Sequence, residues 1–268
     1  MSILSSTQTG SININQRMRR YGMNPSKAVL NADGSIDYNE SLDLSFVLKD
    51  TGCLPFRFNT IKGYFLCNDN NLTTLDGAPK RVCGSFYCQN NMLTSLEGGP
   101  EYVTNVYDCS FNKLRSLKGA PERAMDFRCN SNYLSSVEGC PEVIHGIFEC
   151  SFNKLESLTL GPKKCRSYIC TLQEDALCSS HTLSQVPAFN PLNINTSVAD
   201  WVVITVYGPW LSADDVAQHA KRLATLTNAP HAKIMYNDGR HNILVDNHRG
   251  VMYDNCVHDW PDIYAKKA

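Results

Sequence analysis

The chain has 268 residues, a formal net charge of −1 and twelve cysteines. That length buries a substantial apolar core without crosslinks, so stability need not rest on disulfides. The near-neutral balance gives no general attraction to nucleic acid or to an anionic membrane, and the longest apolar runs, such as "WVVITVYG", are too short to span a bilayer.

The opening "MSILSSTQTGSININ" has no basic stretch leading into an apolar one, which predicts a protein kept in the cytosol. Cysteines there are reduced, so their spacing calls for an explanation in packing, metal binding or catalysis. Residues 1–33 read as a polar tail with a short helix in "NINQRMRRYGMNPSKAVL", which carries Arg17, Arg19 and Arg20. Leu42 and Leu44 then stand as a degenerate first rung of a repeat array, and the polar run before them suits an N-terminal cap.

Six cysteines, Cys67, Cys88, Cys109, Cys129, Cys150 and Cys170, are spaced by 21, 21, 20, 21 and 20 residues, which is a repeat period. Two residues before them stand Phe65, Phe86, Tyr107, Phe127, Phe148 and Tyr168. Asn70, Asn91, Asn112, Asn132 and Asn153 lie three residues after the cysteines, and Leu72, Leu93, Leu114, Leu134 and Leu155 lie five after. Each unit closes on a proline from Pro79 to Pro162, with Gly77, Gly98, Gly119 and Gly139 just upstream of the first four.

Aromatic-x-Cys-x-x-Asn-x-Leu has the layout of the leucine-rich-repeat pattern L-x-L-x-x-N-x-L. It predicts a mainly β repeat solenoid over 34–180, built on a parallel sheet whose period-two geometry turns ring and thiol inward together. The asparagines are expected to form a ladder onto buried backbone groups. Units of 20 or 21 residues leave little room for a convex helix, so extended or 3₁₀ structure is expected there. A thiol repeated at one inward position reads as a small buried hydrophobe. A metal role fits poorly, because one thiol per rung makes a line and not a tetrahedron; no metal or cofactor is expected.

After Cys170 the pattern decays into a connector over 181–199, and 200–268 reads as a small α+β domain. "WVVITVYG" is a buried-strand run, "SADDVAQHAKRLATLTN" a helix with Ser212 as N-cap, and "AKIMYNDGRHNILVDNHRGVMYD" two or three strands. This unit is a candidate C-terminal cap for the solenoid. Cys256 and His258 could act as nucleophile and base or as two metal ligands, but no surrounding motif supports either role over surface histidines.

Residues flanking the inward pair face outward. Leu66, Tyr87, Asp108, Arg128, Glu149 and Ile169 fall in one row, with Tyr64, Val106 and Ile147 on the same face and Phe111 and Phe152 just past the strand ends. Asp108, Arg128 and Glu149 make a minus, plus, minus series that could simply satisfy itself. With the aromatics, the set reads instead as a protein-binding concave face of the solenoid comprising Tyr64, Tyr87, Val106, Asp108, Phe111, Arg128, Ile147, Glu149 and Phe152.

The string F-x-C-x-x-N-x-L-x-S-L-x-G-x-P resembles the short leucine-rich repeats of tailed-bacteriophage proteins and, more distantly, those of secreted bacterial effectors, over about residues 36–170. The resemblance implies a non-enzymatic interaction module that binds a host or partner protein, such as a defence factor, in the bacterial cytoplasm. An alternative is a structural subunit of a virion or other large, oligomeric assembly, and a further one an enzyme housed in the C-terminal segment. Neither nucleic acid nor membrane is an expected partner.

Overall fold

Alternation of large apolar and polar residues along each F-x-C segment forces the ring and the thiol to one side. In the computed structural model, which describes residues 13–155, 160–172, 199–207, 231–237, 242–246 and 250–254, Phe65, Phe86, Tyr107, Phe127 and Phe148 are fully buried beside Cys67, Cys88, Cys109, Cys129 and Cys150. Strand Phe65–Leu66 pairs in parallel with Phe86–Tyr87, and the pairing continues through Val106–Asp108, Asp126–Arg128 and Ile147–Glu149 to Cys165–Leu172. The expected first rung is present, with Leu42 opposite Phe65 and Leu44 buried. The result is a parallel-sheet β-solenoid of about six turns with little helix.

The return side of each rung carries a short strand of its own. Arg81–Val82, Tyr102–Val103, Arg123–Ala124 and Val143–Ile144 form a second parallel sheet, extended as expected but also paired. Val82, Val103, Ala124 and Ile144 point inward from it and close the core against the ring column. Rings stack along the axis at centroid separations of 5.8 Å for Phe65 and Phe86, 5.3 Å for Tyr107 and Phe127 and 6.2 Å for Phe127 and Phe148. Such pairs contribute about 0.5–1.5 kcal/mol each beyond area burial.

The asparagine ladder forms as expected. Asn112 Nδ2 donates to the carbonyls of Cys88 and Cys109, while its Oδ1 accepts from Leu93 N–H at 3.0 Å. Asn91, Asn132 and Asn153 repeat this on their own rungs. Each side chain thus ties one rung to the one before it and satisfies groups that water does not reach.

The N-terminal segment packs on the array. Helix Ile14–Arg20 starts at an Asn13 cap and buries Met18, and Arg17 lies 4.8 Å from the Phe56 ring centroid while donating to Pro55 O at 2.6 Å. Ala28–Leu30 pairs antiparallel with Ile36–Tyr38 at one end of the second sheet. At the other end of the main sheet, Cys165–Leu172 pairs in parallel with Ala199–Tyr207, followed by His231–Asn237, Asn242–Asp246 and Gly250–Asp254. The C-terminal strands therefore continue the solenoid sheet edge to edge. The helix expected from Ser212, the connector up to residue 198, and Cys256 with His258 lie outside the described residues.

The Tyr107 rung differs in chemistry from its two neighbours. Tyr107 stands between Phe86 and Phe127 in the ring column, and its buried hydroxyl has no hydrogen-bond partner. Room for it comes from Gly99, where a Cβ would sit 3.1 Å from that hydroxyl; the matching positions before Phe86 and Phe127 are Ala78 and Ala120. Tyr107→Phe removes an unsatisfied polar atom and is expected to stabilise the array by about 1 kcal/mol, read as a higher urea midpoint. A lower midpoint would mean that the hydroxyl is satisfied.

Candidate functional site

The inward thiols are chemically quiet. Burial pushes the thiols of Cys67, Cys88, Cys109 and Cys129 well above their ordinary range, so they stay protonated at neutral pH. Cys109 Sγ lies 3.3 Å from Arg128 O and Cys129 Sγ 3.4 Å from Glu149 O, weak donations to carbonyls of the following rung. Cys53 and Cys83, by contrast, are exposed. Brief maleimide treatment of the native protein followed by peptide mass spectrometry is expected to label Cys53 and Cys83 and spare the column. Labelling of Cys109 at the same rate would contradict its place in the core.

The outward row forms in the register expected. Leu66 lies opposite Tyr87, Tyr87 opposite Asp108, Asp108 opposite Arg128, Arg128 opposite Glu149, and Glu149 opposite Ile169. Tyr64 is exposed, and Tyr87, Val106, Asp108, Arg128, Ile147 and Glu149 are half-buried. The charges are not arranged as a simple ladder, however. The nearest carboxylate to Arg128 is Asp126 on its own strand, with Nη2 3.7 Å from Oδ2. Asp126 Oδ1 also accepts from Ile147 N–H at 2.8 Å, and Asp108 Oδ1 accepts from Ser110 N–H at 3.0 Å.

This leaves three carboxylates around one guanidinium. Burial raises the Glu149 carboxyl above its ordinary range, Arg128 pulls it back down, and Asp108 pushes it up again. A carboxyl raised in this way binds its proton more tightly folded than unfolded, so its contribution to stability grows as pH falls through the raised value. Arg128 Nε and Gln89 Oε1 are buried without a hydrogen-bond partner. The face therefore holds polar groups that the fold itself does not satisfy.

Phe111 and Phe152 stand at the corners just past the strand ends, next to this face. Both take left-handed backbone at the corner where the strand ends, with φ of 53° and 55°. The equivalent corners elsewhere are Phe46, Asp69, Asn90 and Ser131, all at positive φ. Asp and Asn tolerate that region; a bulky ring there costs on the order of 1 kcal/mol. With Tyr133, the two phenyl rings line an open groove of about 400 Å³ over Ser131.

Two contributors were not singled out from sequence. Asp126 carries a period-two signal, standing two residues before Arg128 on the same strand. Tyr133 follows its cysteine at the offset held by Asn71, Met92, Lys113 and Lys154 in other rungs, a column that only the exposed side of the solenoid makes into a surface. No protein-family model, characterised protein or solved structure matches the chain.

Proposed function

We propose that the protein is a non-enzymatic interaction module of leucine-rich-repeat type, which binds a protein partner through the outward face of its main sheet. The observation that carries this reading is the row Tyr87, Asp108, Arg128 and Glu149, held in parallel register and left with more carboxylate than its one guanidinium neutralises. Aromatic and arginine side chains on a rigid sheet are the groups that anchor protein interfaces. The likeness of the repeat to phage-borne short repeats favours a bacterial host factor as the partner, met in the cytoplasm.

The test uses the full chain as bait, with Arg128→Ala and Tyr87→Ala on the face and Tyr102→Ala on the second sheet as control. Alanine is cleaner than charge reversal at 128, which would set a fourth carboxylate among Asp108, Asp126 and Glu149. The expected result is a stoichiometric partner released by both face variants and kept by the control. Equal retention by all three would move the interface elsewhere.

One observation supports a second reading, a building block of a larger assembly. Val29 and Leu30, on the terminal strand Ala28–Leu30 of the second sheet, are 51% and 57% exposed. An exposed apolar edge strand is a template for pairing with another copy. Light scattering of the purified chain, compared with a Val29→Lys variant, distinguishes this from a monomeric module.

A further inference from the structure

We infer that the groove between Phe111 and Phe152 is a second binding site, which takes a short, extended acidic peptide with prolines between its carboxylates. It lies at the corners where the strands end, and stands whether or not the row Tyr87, Asp108, Arg128 and Glu149 binds a partner.

Four observations converge on it. The groove is open to solvent, with Phe111 53% and Tyr133 48% exposed. Its two phenylalanines, like Phe46 on the first rung, hold a left-handed backbone that Asp69 and Asn90 occupy with less strain, so local conformational preference does not account for the rings. Ser131, between them, is small and leaves the slot unfilled. Finally, two lysines flank the slot's Tyr133: Lys113 and Lys154 occupy its own column on the two adjacent rungs, and Lys154 Nζ stands 5.5 Å from the Tyr133 ring centroid.

Spacing selects the occupant. Lys113 and Lys154 lie two rungs apart, a separation of about 10 Å at the usual interstrand distance. A polyproline II segment advances roughly 3.1 Å per residue, so carboxylates three positions apart span about 9 Å. The residues between them then lie against Tyr133 and the two phenyl rings. Proline suits that place, because its ring stacks on aromatic walls and the chain is already extended before binding. A continuous polyanion fits less well, since Asp108, Asp126 and Glu149 lie on the adjoining sheet face.

The experiment measures fluorescence anisotropy of a fluorescein-labelled, end-blocked hexapeptide, Gly-Glu-Pro-Pro-Glu-Gly, titrated with the full chain. Saturable binding is expected, weakened about tenfold by Tyr133→Ala and by exchanging both glutamates of the peptide for glutamine. Phe111→Asn and Phe152→Asn are the sharper variants. Each is expected to abolish binding while leaving the urea midpoint equal to or above wild type, because asparagine accepts the left-handed corner. Absence of saturable binding, equal affinity for the glutamine peptide, or retained binding by both asparagine variants would overturn the assignment. Tighter binding of a twelve-nucleotide oligothymidylate than of the peptide would overturn it in favour of a single-stranded nucleic-acid site.

Discussion

Asn112→Ala is expected to lower the unfolding free energy by roughly 3–5 kcal/mol, a large share of the ~5–15 kcal/mol that holds a typical domain folded. The Asn112 side chain accepts from Leu93 N–H and donates to the carbonyls of Cys88, Cys109 and Ser110. Both Asn112 and Leu93 are buried, so no water replaces the lost partner at the Leu93 amide. An orphaned buried donor costs about 1–3 kcal/mol, and the carbonyl bonds and the small void add to it.

Because each rung touches mainly its neighbours, the loss falls on the junction between the Cys88 and Cys109 rungs. Urea unfolding followed by far-ultraviolet circular dichroism is expected to show an earlier and less cooperative transition than wild type. Asn112→Asp sharpens the test. It keeps an acceptor for Leu93 N–H but sets a carboxylate against three carbonyl oxygens, so its deficit relative to wild type is expected to be larger at pH 7 than at pH 5. A change below about 1 kcal/mol for Asn112→Ala would show that the ladder is dispensable.

The ladder and the solenoid were legible in the sequence because both repeat. Ring, thiol, asparagine and leucine recur at fixed offsets, and period-two geometry then decides which of them point inward; Phe65 and Cys67 sit fully buried as that logic requires. The second sheet was less legible. Arg81–Val82 and Tyr102–Val103 are only two residues long, too short for alternation to announce a strand, and their pairing is created by stacking rungs and not by local preference. The Tyr107 and Gly99 pairing left a trace in the sequence, since glycine replaces alanine one rung segment ahead of the hydroxyl-bearing ring, but its meaning depends on knowing that the two positions touch.

The candidate site was legible only as a row. Register follows from the repeat, so the order Tyr87, Asp108, Arg128, Glu149 could be read directly. Which charge pairs with which could not, because a side chain chooses among neighbours along its strand as well as across it; Arg128 turns to Asp126. The left-handed corners at Phe111 and Phe152 were equally hidden. A phenylalanine gives no hint of left-handed backbone, and only the aspartate and asparagine at the same corner in other rungs point to it.

Gly119→Ala is expected to destabilise the array by roughly 3–5 kcal/mol, from a left-handed backbone and a steric clash acting together. Gly119 has φ of 91°, where L-residues are rarely found. A Cβ added there would lie 2.5 Å from Glu97 N, 2.6 Å from Leu96 C and 2.8 Å from Glu97 Cα. All three are backbone atoms of the preceding rung, which cannot swing aside as a side chain would. Gly139 supplies the internal comparison: at φ of 85° its added Cβ would find nothing nearer than 3.1 Å, so Gly139→Ala carries the conformational cost with a milder contact. The expected order of urea midpoints is wild type, Gly139→Ala, Gly119→Ala. Equal loss in the two variants would assign the whole effect to φ. A near-normal Gly119→Ala would show that adjacent rungs separate freely there, and the rigid register that aligns Asp108 with Arg128 would lose its support.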